Sequence, residues 1–502
     1  MAALNRTTLA GITPNAEYQP DASAGKPPVR ILQIGDGNFL RAFVDWLVDV
    51  TNGAGLFNGR VTIAQPLARG IADLLNAQDG LYTVILRGVQ GGKTVESRRI
   101  VSCIENSLNP YSQWQEMLAL AANPSLRFVV SNTTEAGIAD VAEAQGDQCP
   151  DSFPAKVVAL LWARYQALGG TAASGLVFLP CELIEANGSK LRSIVLQYAK
   201  RWNLPEAFAA WVEAHNHFCN TLVDRIVPGY PAAEAEKLCA DLGYTDKLLV
   251  TAEPFLLWVI EGPAHLAEEF PLHKAGLDVV WTDDLQPYRT RKVRILNGAH
   301  TASSLASYCA GLDTVQQMTE DPVVSTYLKR VMFEEIVPFV PLPDAERRAY
   351  ADSIMERFAN PHIRHELISI ALNSVSKWQV RVLPTVKDYV AKHGKAPAGL
   401  AFSLAALLNF YHGQFGADGE YTGQREAGSY PIRDNPEVLA ALSEAWRGWQ
   451  EGDDLAARVR GILADARLWG EDLNLVAGLA DQVVRALAGI KAQGVKATMA
   501  AL

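Results

Sequence analysis

Three residues in the middle of the chain carry side chains that together can move a proton. Lys292, Asn297 and His300 lie in the run Asp283-Asp-Leu-Gln-Pro-Tyr-Arg-Thr-Arg-Lys292-Val-Arg-Ile-Leu-Asn297-Gly-Ala-His300. Hydride transfer to or from a carbinol carbon must be matched by movement of the hydroxyl proton. A lysine amine near fixed positive charge, or in a dry pocket, has its pKa lowered toward neutrality and can serve as both acid and base. An asparagine amide can donate to a developing alkoxide, and an imidazole can fix the substrate oxygen. With a helix beginning after Pro287, Asn297 and His300 share a face, and Lys292 lies about 80° from His300. The same stretch also fits a plainer reading. Arg289, Arg291, Lys292 and Arg294 would form a solvated basic helix start, with Asn297 and His300 as polar groups satisfied in the core.

A second cluster stands near the N-terminus. The β-prone run Val29 to Ile34 ends at Gly35-Asp36-Gly37, and Asn38 to Val50 then carries Phe39, Ala42, Phe43, Trp46, Leu47 and Val50 at helical spacing. Glycines between a strand and a helix let the backbone approach a pyrophosphate, and the helix N–H groups supply positive potential for it. Gly35, Gly37, Asn38 and Phe39 are therefore cofactor candidates. The third glycine of the dinucleotide fingerprint would fall at Leu40, so the motif is incomplete. The next strand ends Ala64-Gln-Pro-Leu-Ala-Arg69, without the usual ribose-binding carboxylate. Gln65 can bond a ribose and Arg69 can favour a 2′-phosphate, leaving NAD and NADP both open. Ser131-Asn132-Thr133-Thr134-Glu135 follows a further strand. It suits either the nicotinamide side of a ligand crevice or a simple capping turn.

These clusters need elements to hold them. Short β-like runs at 61–64, 82–86, 98–103, 127–130 and 175–179 alternate with helical stretches such as 154–168, which has Ser152 as a cap and Pro154 in its first turn. That alternation predicts an α/β domain with a largely parallel sheet. The runs at 82–86 and 98–103, separated by Gly91-Gly92, read as an antiparallel insertion. From about 285 onward the periodicity is almost purely helical. The chain therefore divides into a dinucleotide-binding domain, 1–284, and a helical substrate and catalytic domain, 285–502. Residues 139–151 and 413–436 read as Gly/Asp-rich loops.

With 502 residues, 45 Lys+Arg and 55 Asp+Glu, the net charge is −10, which argues against a nucleic-acid partner. No run reaches the ~20 apolar residues of a membrane helix. No secretory signal is read at the N-terminus, and six scattered cysteines suit a reduced, cytoplasmic protein. His215 and His217 lack a third partner, so they read as helix surface and no metal is expected.

Lys292-x4-Asn297-x2-His300 resembles the catalytic signature of the polyol-specific long-chain dehydrogenases, the mannitol dehydrogenase family. Gly35-Asp-Gly-Asn-Phe-Leu-Arg-Ala-Phe43 is similar to that family's glycine-rich start. Blocks along nearly the whole chain, among them QDGLYT (78–83), RFVVSNTTEAGI (127–138), PCELI (180–184), LVDRIVPGYP (222–231), RFANPHI (357–363) and LISIALNSVSK (367–377), look like its uronate branch. The resemblance implies a Rossmann-type N-terminal domain and a helical C-terminal domain, with metal-independent hydride transfer from NAD(H) at their interface. The reaction implied is interconversion of D-tagaturonate and D-altronate, with Lys292 as general acid/base, Asn297 and His300 on the substrate oxygen, and Asp224 near nicotinamide and substrate. Where mannitol-type enzymes place an Asp-Asn pair, this chain has Glu182-Leu183, which argues against plain mannitol. A sugar-acid substrate brings a carboxylate, for which Arg364, Lys377 and Arg381 are the basic candidates. Fructuronate reduction and polyol oxidation are the sister activities, and a non-catalytic dinucleotide-binding regulator is the rival of another class. The assembly expected is a monomer or small homo-oligomer.

Overall fold

The computed structural model describes residues 1–18, 26–134, 136–450 and 452–502. Its contacts divide the chain into two units, one of residues 1–88 and 94–285, the other of residues 89–93 and 286–502.

In the first unit, strands Val29–Ile34, Arg60–Ala64, Ile104–Leu108, Phe128–Ser131, Val177–Pro180 and His217–Phe218 form one sheet. Numbered along the chain, their spatial order is 3-2-1-4-5-6, and every pairing is parallel. This is the Rossmann arrangement. Both faces of a parallel sheet are covered, so alternate residues of one strand enter different cores. Ile31, Val130 and Leu179 pack with Phe43 and Leu47 of the helical stretch 38–53, which follows the glycine turn. Leu32, Val129 and Phe178 pack with Val157, Leu160 and Leu161 of the helix Phe153–Leu168, whose first turn is capped by the Ser152 hydroxyl.

Two expectations change here. The third strand of the main sheet is Ile104–Leu108, a short run with Glu105, Asn106 and Ser107 that gives no apolar signal. The runs at 82–86 and 98–103, read as an insertion, do stand apart from the main sheet: they fall in Tyr82–Gln90 and Lys93–Val101, joined through Gly91-Gly92, both at positive φ, in a separate three-stranded sheet with Val250–Ala252. His217 also departs from a helix surface: it lies in the edge strand of the main sheet, half-buried, its ring 5.7 Å from that of His265.

The second unit is mainly helical. At its centre lies Ala398–Phe410, buried along almost its whole length because AGLAFSLAALLNF has no polar face to offer water. Its N-terminus is inside the protein, and the Glu335 carboxylate accepts from the N–H groups of Gly399 and Leu400 at 2.9 and 2.8 Å. The helix packs against Gly298–Cys309 and Leu479–Gln493. The stretch 413–436, read as a loop, contains a three-stranded antiparallel sheet, Gln414–Phe415, Tyr421–Arg425 and Gly428–Pro431. Its anchors are Tyr421 and Tyr430, buried and donating to the carbonyls of Tyr411 and Phe410. Among the described residues, no helix is long and apolar enough to cross a membrane.

Candidate active site

The lysine motif occupies one continuous helical stretch, but not a plain α-helix. Gln286–Arg291 is α-helical, Lys292–Asn297 is a π turn, and Gly298–Cys309 is α-helical again. A π turn holds one extra residue, which removes about one 100° step from the helical wheel. Lys292, about 80° from His300 on an ideal α-helix, is thereby brought to within about 20° of it. The five-residue spacing of Lys292 and Asn297 is itself one π turn. The three side chains thus share a face for a reason that spacing on a uniform helix does not reveal. The basic neighbours are not simply solvated. Arg291 is buried with its guanidinium 4.3 Å from the Tyr350 ring centroid, and Arg294 pairs with Asp388.

His300 is 8% exposed, and its Nε2 has no hydrogen-bond partner. Its ring lies on Phe358, centroids 4.2 Å apart and 7° from parallel, while His365 meets it edge-on at 5.3 Å. Burial, reinforced by His365, Arg357, Arg381 and Lys377, holds the imidazole pKa well below its usual range. It is therefore a neutral ring with one buried, unpartnered polar atom, beside a group of cations.

Those cations sort the three carboxylate candidates. Lys377 and Arg381, on the helix Ser374–Arg381, lie near His300, whereas Arg364 is 78% exposed and paired with Glu366 at 2.5 Å. Lys377 donates to the Ile370 carbonyl at 2.9 Å. The half-buried Arg381 side chain makes no hydrogen bond or ion pair among the described residues, and burial lowers its pKa. Its helix comes close because position 298 is glycine: a Cβ there would stand 3.2 Å from the Arg381 carbonyl oxygen. Arg357 is a third cation of this group, one that sequence reasoning misses. It opens the RFANPHI block beside Phe358, and that adjacency to a conspicuous block is the only signal it gives.

In the first unit, the carboxyl ends of the first and fourth strands meet where the strand order reverses, the usual ligand crevice of this fold. Gly35 has φ +138°, and a Cβ on it would fall 2.9 Å from Leu40 and 3.1 Å from the Asn132 carbonyl oxygen. Leu40 therefore packs under the turn at the position of the fingerprint's third glycine. The turn remains bare backbone, as a pyrophosphate requires.

Several expected cofactor side chains are already engaged. The Asn38 carbonyl accepts from Arg41 at 2.6 Å, and Phe39 stacks on Phe43 at 5.0 Å. The Asn132 amide donates to the Cys181 carbonyl, and Thr133 donates to Glu182 through both its N–H and its hydroxyl. Ser131 adds a third bond to Glu182, so this buried carboxylate is a strut beneath the 131–133 turn; burial raises its pKa and these bonds oppose the rise. Thr134 has φ +76°, and Glu135 lies outside the described residues.

Gln65, offered by the sequence for the ribose, is already engaged. Its amide N–H₂ donates to the carbonyls of Leu67 and Ala68 and its oxygen accepts from Ala72, which commits the side chain to its own loop. Arg69 is exposed. Asp224 is buried at the end of the strand Asn220–Asp224, and its neighbour Arg225 is pinned to the helical stretch 38–53 through the Ala42 carbonyl at 2.9 Å and the Trp46 ring at 4.7 Å. Among the described residues, no group of three or more His, Cys, Asp or Glu could hold a metal ion.

Comparison with known proteins places this geometry in context. Residues 29–274 match the model described as the mannitol dehydrogenase Rossmann domain, and residues 284–491 the mannitol dehydrogenase C-terminal domain. An altronate oxidoreductase of Halalkalibacterium halodurans is 44% identical over 93% of this chain and 92% of its own length. The fold is similar to a substrate-free D-sorbitol dehydrogenase, with TM-score 0.80, 24% identity and coverage of 99% and 100%. It is also similar to a Pseudomonas fluorescens mannitol 2-dehydrogenase in ternary complex with NAD and D-mannitol, with TM-score 0.67, 24% identity and coverage of 99% and 98%.

Proposed function

The chain belongs to the mannitol dehydrogenase family and is an oxidoreductase acting on CH–OH groups; from that premise we propose that it interconverts D-tagaturonate and D-altronate with NAD(H). The first unit takes the dinucleotide. Support comes from the bare Gly35 turn at the strand-order reversal, and from the NAD held by the similar mannitol 2-dehydrogenase in its ternary complex. When bound, the nicotinamide supplies or receives the hydride.

The second unit handles the sugar acid. In the reducing direction Lys292 gives its proton to the carbonyl oxygen, while Asn297 and His300 hydrogen-bond that oxygen as it gains charge. A histidine held neutral among cations is a poor proton store, so the proton falls to Lys292. The observation that carries the sugar-acid reading is Arg381, a half-buried guanidinium without a counter-charge among the described residues and close to His300. A substrate carboxylate completes that pair, and a neutral hexitol does not.

The test is side-by-side turnover of tagaturonate, fructuronate and fructose, followed by nicotinamide absorbance. Tagaturonate should lead in kcat/KM. A lead for fructose would overturn the sugar-acid assignment, and a lead for fructuronate would move the protein to the sister activity. Added chelator should leave turnover intact.

A further inference from the structure

We propose that Asp36, between the two glycines of the first turn, receives the adenosine ribose hydroxyls and sets a preference for a dinucleotide without a 2′-phosphate. This rests on reading the first unit as the dinucleotide site. In this fold the ribose lies at the carboxyl end of the second strand, where an acidic residue ordinarily stands. Here that strand ends in Ala64-Gln65, and the Gln65 amide is consumed by its own loop.

A carboxylate nevertheless reaches the same place from the neighbouring turn. The Ile71 N–H donates to Asp36 Oδ2 at 2.8 Å. A Cβ on Gly70 would lie 2.4 Å from that oxygen and 2.7 Å from Gln65 Oε1, so the loop after the second strand closes on Asp36 at a point where only glycine fits. The Asp36 backbone is held as well, its carbonyl accepting from Arg41 Nε at 3.2 Å. One carboxylate oxygen is thus anchored, while the other accepts no hydrogen bond among the described residues. The side chain is half-buried and fixed before any ligand arrives.

A fixed carboxylate accepts hydroxyl protons in charge-assisted bonds, and it repels the dianion of a 2′-phosphate in the same position. Arg69 is the competing element. It is the sole cation of the 65–71 loop, exposed and without an ion pair among the described residues. If Arg69 ruled, the phosphorylated cofactor would be preferred.

The test is calorimetric titration of the full chain with ADP-ribose and with its 2′-phosphate, neither of which can be turned over. Wild type should bind ADP-ribose at least about tenfold tighter than the phosphorylated analogue. Asp36→Asn keeps an oxygen for the Ile71 N–H but loses the charge, and it should narrow that ratio by about tenfold or more. Asp36→Ser is the second variant, with thermal unfolding confirming that each is folded, and it should narrow the ratio similarly. Arg69→Ala should keep the wild-type preference. Undiminished discrimination in both Asp36 variants overturns the proposal, as does a wild type that prefers the phosphorylated analogue. A wild type that binds neither ligand refutes the dinucleotide reading itself, and this assignment with it.

Discussion

His300 lies flat on Phe358, ring centroids 4.2 Å apart and planes 7° from parallel, with its Nε2 buried and unpartnered. The stack fixes the ring plane, so the direction of that nitrogen is set before substrate arrives. A group that aligns a reacting oxygen gains from such preorganisation.

Phe358→Leu keeps an apolar neighbour but removes the flat support. We expect kcat/KM for the sugar acid to fall by about tenfold, for an alignment loss of ~1.4 kcal/mol. Affinity for NADH, measured by fluorescence titration, should stay as in wild type. Steady-state kinetics with unchanged kcat/KM would remove the stack from the account.

Arg381→Gln takes away the cation with no counter-charge among the described residues. The KM for tagaturonate should rise by about tenfold to a hundredfold, the usual worth of a hydrogen bond to a charged group. Residual activity toward a neutral ketose should be little altered, because such a substrate has no carboxylate to place. Equal losses on both substrates would assign Arg381 a purely structural part.

Asp45 lies about two helical turns beyond the glycine turn. It is fully buried, and it accepts from Tyr82 at 2.9 Å and Gln33 at 3.2 Å. Burial pushes its pKa up to about 7, against the pull of those two bonds and of Arg41. The folded chain therefore keeps a proton there that the unfolded chain releases near pH 4, so stability from this group falls as pH rises from about 4 to about 7. Asp45→Asn should raise the unfolding midpoint at pH 8 and leave it nearly unchanged at pH 4, as read by calorimetry across pH. A midpoint shift independent of pH would contradict the linkage.

Much of the fold is legible in the sequence. The glycine turn, the strand-helix alternation and the change of texture near 285 follow from periodicity and turn chemistry, which are local. The convergence of Lys292 with His300 depends on a π turn, and no residue type announces one. Arg357 and Arg381 are indistinguishable from surface arginines until the packing of Gly298 against the Ser374–Arg381 helix is known. The strand Ile104–Leu108 escapes because partners distant in sequence hold it: the Thr62 hydroxyl donates to the Asn106 side chain at 2.9 Å, and the Ser107 backbone N–H donates to Asn76. The engagement of Gln65 is hidden for the same kind of reason: its hydrogen bonds close a loop whose path the sequence does not disclose.

Glu335 holds the buried N-terminus of Ala398–Phe410, and burial raises its pKa while its backbone bonds oppose the rise. Glu335→Ala would leave those N–H groups without an acceptor, at a cost of about 2–3 kcal/mol. Chemical denaturation should register that loss with the slope unchanged. A neutral result would mean that another acceptor takes over.

Lys292→Ala bears most directly on the central claim. Binding of NADH, titrated by fluorescence, should remain within about twofold of wild type while turnover of tagaturonate falls by about a thousandfold, the worth of a positioned general acid. Turnover close to wild type in that variant would contradict the account.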